Sequence, residues 1–221
     1  RGDVNYRGWK ADSSSVKALD DYINHLSTAS VSAVASRNAK LSFWINAYNA
    51  VTIRGILKEY PTTSIKNHVS NLGGYNIWKH YKVNVDGRAY SLDDMEHAVL
   101  RKMNEPRIHF ALVCASKSCP RLMNRAFTAA TLEKQLAENA TYFFSLPTNF
   151  RYDSRKNRVY LSSILKWYGT DFAPTPVRQL QKLVAYLPAS ARPAITNGGF
   201  KVTYQKYDWG LNEQVTKASQ N

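Results

Sequence analysis

The chain has 221 residues, 44% of them hydrophobic, with 14 tyrosines and a formal net charge of +14. That length and apolar content suit one globular domain over residues 1–221 and exclude a disordered chain, and no apolar run approaches the roughly 18 residues of a membrane span. Two cysteines exclude a disulfide scaffold; the charge favours acidic partners, but the basic residues are scattered and no motif accompanies them, which argues against nucleic acid.

Residues 13 to 27 read as a short helix, with Val16, Leu19, Tyr22, Ile23 and Leu26 at helical spacing. The longest helix candidate follows at about 37 to 59, capped by Ser36 and stopped before Pro61. Its middle, LSFWINAYNAVTIRGIL, is apolar nearly all round, as expected of a central, buried helix. Asn46 and Asn49 share a face of it, and buried amides need partners. They either fix neighbouring loops or help to line a site. Residues 62 to 81, with Gly73-Gly74, His68 and His80, read as irregular; neither histidine shows metal-ligand spacing, and no cofactor is expected.

A hairpin comes next, YKVNV and RAY around an Asp86-Gly87 turn. Ser91 and Asp94 resemble a capping box that opens a helix of about 92 to 102. Leu92, Met95, Val99 and Leu100 form its apolar stripe, and Glu96 lies on that stripe. A carboxylate there has a partner or a raised pKa.

Residues 107 to 120, RIHFALVCASKSCP, hold both cysteines and His109. IHFALVC reads as a buried strand with Cys114 in its core. Cys119 follows a polar loop and precedes Pro120, which suits the first position of a helix and would place Cys119 at its N-cap. Backbone N–H groups there lower a thiol pKa and serve an oxyanion. A thiol beside an imidazole supplies the parts of nucleophilic catalysis. A disulfide between Cys114 and Cys119 is disfavoured, because the spacing is not C-x-x-C. A helix of about 129 to 145 capped by Thr128, a second hairpin FRYDSRKNRVYL, a helix from near Ser162 and one at 175 to 187 follow. The tail closes with a turn, a strand and an aromatic anchor, so the fold class is helix-rich α+β with a small antiparallel sheet.

Five blocks, FWINAYNA, SLDDMEH, RIHFALVCASKSCP, LSSILKWYGTDF and YDWGLNE, resemble the bacterial members of the domain of unknown function 547 family from about Val4 to Glu213. The resemblance implies a core like that of papain-like and transglutaminase-like cysteine proteases with its elements in a different order. It also implies a Glu, His, Cys triad, which falls here on Glu96, His109 and Cys119. Bacterial members are commonly exported, so the expected location is periplasmic or secreted, with a signal peptide removed ahead of Arg1. The expected activity is thiol-dependent amide hydrolysis or acyl transfer. Peptides and small peptide-like molecules, glutathione-like ones included, are the expected substrates. Asn46, Asn49 and Ser118 are candidate lining residues, and His97 beside Glu96 leaves a second base open. The alternative is a non-catalytic module that grips a peptide or a polyanion on the same scaffold.

Overall fold

The computed structural model describes residues 2–34, 36–70 and 74–214. Its N-terminal part comprises α1 (Tyr6–Ala11), α2 (Ser13–Leu26) and α3 (Arg37–Glu59). Ser36 caps α3 by accepting the Ala39 N–H, and the helix stops ahead of Pro61. Leu41, Ile45, Val51 and Ile56 on it are fully buried, as an all-round apolar helix requires. The stretch expected to be irregular carries a 3-10 turn, Ile65–His68, and the short α4 (Ile77–His80), while Gly73 lies outside the described residues. The hairpin β1 (Lys82–Val85) and β2 (Arg88–Ser91) forms as expected, with Asp86 at φ 49° and Gly87 at φ 73°. Two left-handed positions in a two-residue loop match the right-handed twist of paired strands.

In the second half come α5 (Leu132–Ser145), β3 (Phe150–Asp153), β4 (Arg158–Leu161), α6 (Ser163–Tyr168), α7 (Pro176–Lys182), α8 (Arg192–Asn197) and β5 (Lys201–Tyr204). β3 and β4 are the second hairpin; β5 joins β4 in parallel, so the larger sheet is mixed, in the order β3-β4-β5. The architecture is helix-rich α+β with two small sheets. α5 begins three residues later than expected, with Thr131 and not Thr128 at its cap, and the Thr128 N–H and the Thr131 hydroxyl are both taken by the Gln135 side chain. The expected helix at 175 to 187 breaks after Lys182 and resumes as a 3-10 turn, Val184–Tyr186.

Among the described residues, three apolar clusters make up the interior. One surrounds α3, one gathers Phe110, Phe143, Phe144 and Phe172, and a third ties Tyr6 to Ile56 and Leu211. The segment from Ile108 to Ala115 passes through all three. Ile108 enters the first, Phe110 the second and Ala115 the third. That path overturns the expected strand. Pro106 starts a 3-10 turn, Pro106–Phe110, capped by the Glu105 carboxylate on the Arg107 N–H, and no strand follows. A short apolar run can be strand or buried turn, and periodicity alone does not separate them.

Candidate active site

His109 lies on this turn between two cores and is only 4% exposed. Its Nε2 is 2.8 Å from Asp171 Oδ2, and its ring stacks on Tyr168 with centroids 4.2 Å apart. Arg101 holds the same carboxylate from the other side, Nε to Oδ2 at 2.8 Å and an amino nitrogen to Oδ1 at 2.6 Å. Arg101 first, then His109, keep Asp171 ionised, with a pKa of about 2. Burial pushes the imidazole pKa down against the pull of Asp171, so His109 is neutral at pH 7. A neutral ring beside an ionised acceptor carries its proton on Nε2. The lone pair is left on Nδ1, which makes no hydrogen bond among the described residues.

The SLDDMEH segment closes its capping box: Asp94 accepts the Ser91 N–H at 3.0 Å, and Ser91 Oγ accepts the Asp94 N–H at 3.1 Å. The helix expected at about 92 to 102 forms, its middle, Asp94–Leu100, wound as a π-helix and its end, Arg101–Met103, as a 3-10 turn. Wide π turns recur at functional sites. Glu96 accepts a hydrogen bond from Tyr48 at 3.1 Å, and the Tyr168 hydroxyl lies against the same carboxylate. His97 stands apart, with Arg101 3.2 Å from its Nδ1 and Asp93 beside Nε2.

The thiols meet in the next loop. Ala115 adopts a left-handed φ of 56°, and the Cys119 N–H donates to Ser116 O at 3.0 Å, which turns the chain back. The two sulfurs are 2.7 Å apart, and the Cys114 N–H also donates to Cys119 Sγ. Ser116 Oγ and Tyr207 Oη lie 3.2 and 3.0 Å from Cys114 Sγ. These neighbours, the Cys119 thiol first, lower the Cys114 pKa, whereas burial raises that of Cys119. The two thiols, in direct contact, therefore titrate as one unit. No helix starts at Pro120, and the Cys119 N–H is already bonded to Ser116 O, so the expected N-cap does not form.

A single cavity of about 110 Å³ collects these groups. Glu96, His109, Cys114 and Cys119 line it, with Tyr168, Tyr207 and an aromatic rim of Trp78, Trp167 and Trp209. Trp167 is 44% exposed and stacks on Trp209 at 5.7 Å. The sequence-predicted trio thus shares one space, although no hydrogen bond joins His109 to either thiol among the described residues. Asn46, Asn49 and Ser118 do not line it. Asn46 clamps the backbone of Phe127, Asn49 clamps Ala111 O and Val113 N, and Ser118 Oγ accepts the Asp208 N–H. Asp171, Tyr168 and Tyr207 are the members that sequence reading missed. The first two lie in the LSSILKWYGTDF block, where an acid just after a short helix was the available signal. Among the described residues no three His, Cys, Asp or Glu side chains gather as a metal site. No described helix is long and apolar enough to cross a membrane.

The family model described as a protein of unknown function, DUF547, matches residues 32–144. That span holds Glu96, His109 and both cysteines and stops short of Asp171 and Tyr207. No curated protein and no solved structure matches the chain.

Proposed function

The chain belongs to the DUF547 family, and from that premise we propose that it is a thiol-dependent amide hydrolase or acyl transferase acting on peptide-like substrates. One observation carries the reading: both thiols line the same cavity as an imidazole whose tautomer is fixed by a carboxylate. Cys119 is the attacking sulfur. His109 Nδ1 takes a proton from the thiol pair and hands it to the leaving amine, while a thioester forms on Cys119. Water or an acceptor amine then attacks the thioester, with His109 again as base. Asp171 holds the ring, and Glu96, tied to Tyr48 and Tyr168, lines the cavity wall beside it. Bringing His109 and Cys119 into hydrogen-bond contact is a task for substrate, since catalytic hydrogen bonds often tighten only in the complex.

The aromatic rim points to an acyl group with a flat or apolar side chain, because indole faces reward apolar and stacking contact. The protease-like core, the exported location and an acidic partner for the basic surface belong to the same proposal. The test is turnover of a panel of N-acyl peptide amides and thioesters by the wild-type chain and by Cys119→Ala. Turnover by the wild type that falls at least about 10³-fold in the variant is the expected result. Full activity of Cys119→Ala would overturn the mechanism. Undiminished binding of the same peptides, with no turnover by either protein, would establish the non-catalytic module instead.

A further inference from the structure

The aromatic rim and the imidazole are absorbed by the proposed reaction; the second thiol is not. A single nucleophilic cysteine needs no sulfur partner. Yet Cys114 Sγ and Cys119 Sγ are in direct contact at 2.7 Å, and two further features hold them there. The chain reverses between them through Ala115 and the Ser116–Cys119 hydrogen bond. A strap from the C-terminal segment then fastens the loop from outside: Lys117 N–H to Gly210 O at 2.8 Å, Ser118 N–H to Asp208 O at 3.2 Å, and Asn212 N–H to Ala115 O at 3.2 Å. Two sulfurs already in contact stand within reach of an S–S bond, which would draw them from 2.7 Å to about 2.05 Å. Ser116 and Tyr207 hydroxyls beside Cys114 Sγ stabilise a thiolate there. The cavity that both sulfurs line has room for a molecule a few waters in size.

From this we infer that Cys114 and Cys119 are a peroxide-reactive pair, oxidised by hydroperoxides to an intramolecular disulfide that a thiol reverses. Cys114 Sγ attacks the terminal oxygen of the hydroperoxide. The O–O bond breaks, the sulfur becomes a sulfenic acid, and the alkoxide leaves and takes the thiol proton as an alcohol, or as water when the oxidant is hydrogen peroxide. Cys119 Sγ then attacks the sulfenic sulfur. The S–S bond forms, the S–O bond breaks, and the hydroxyl leaves with the second thiol proton as water. The two thiols give up two protons and two electrons, and the peroxide takes both. In the oxidised form Cys119 is no longer free to attack a carbonyl; that consequence, unlike the disulfide itself, rests on the proposed amide chemistry.

The test uses the reduced full chain, hydrogen peroxide as probe, alkylation of remaining thiols and tryptic mass spectrometry. Trypsin cuts after Lys117 and Arg121, so the disulfide appears as residues 108–117 joined to residues 118–121. The expected result is that this linked pair becomes the main product and disappears on adding dithiothreitol. Cys119→Ser, with no second sulfur, should stop at sulfenic or sulfinic acid on Cys114. Three outcomes in the wild-type chain would overturn the inference: two alkylated peptides, an over-oxidised cysteine without a link, or a link only between chains. No turnover is measured, so the result stands whatever becomes of the amide reaction.

Discussion

His109 and the thiol pair face one cavity but are held in opposite ways. The imidazole is gripped from far along the chain: Asp171 fixes its proton, Tyr168 covers its face, and Phe172 packs at 6.2 Å. The thiols are held by their own loop, each sulfur against the other, with the strap at 208–212 fastening the backbone. The imidazole side is thus ready for proton transfer as it stands. In the proposed reaction the thiol side, whose sulfurs contact each other and not the ring, has to be drawn toward the imidazole. The difference shows that a buried turn such as Pro106–Phe110 relies on distant residues to fix its one polar side chain, whereas a loop can bring two of its own side chains together.

The comparison breaks most visibly at Asp171. Asp171→Asn should leave the thiol loop intact but remove the charge that fixes the His109 tautomer, lowering kcat/KM by about 10²–10⁴-fold in steady-state assays. The same substitution should change acid unfolding. The folded pKa of Asp171, about 2, lies below its unfolded value of about 3.9. Its contribution to stability is therefore complete above about pH 4 and is lost as the pH falls toward 2. Denaturant curves of the variant should be flatter over that window than those of the wild type.

A smaller effect separates the two asparagines of α3. Asn49→Ala leaves Ala111 O and Val113 N without a partner inside the core, next to the first cysteine. It should cost about 1–3 kcal/mol and change the alkylation rate of the thiols. Asn46→Ala frees Phe127 on a different loop and should cost a similar amount with the thiol rate unchanged. Equal effects of both on the thiols would mean that Asn49 has no special hold on that loop.

Much of the fold was legible where chemistry is local. Asp86-Gly87 demands a tight hairpin, Ser36 and Pro61 bound α3, and the Ser91–Asp94 box closes as its spacing implies. The two features the sequence hid are long-range. IHFALVC has the composition of a strand, but two clusters claim its side chains, with Ala115 just after it in a third, and among the described residues no strand pairs with it. Pro120 suits a helix start, yet no helix follows. The pairing of His109 with Asp171 spans 62 positions and has no local signature, so Glu96 was the acid that a sequence could offer.

The most direct measurement is the rate of iodoacetamide alkylation of the folded protein against pH, located by tryptic mass spectrometry, for the wild type and His109→Gln. Label on residues 118–121 that slows markedly in the variant is the result predicted, with a rate that climbs as the pH rises, because burial raises the Cys119 pKa. Label confined to residues 108–117, or a rate that ignores the variant, would contradict a His109-assisted Cys119 nucleophile.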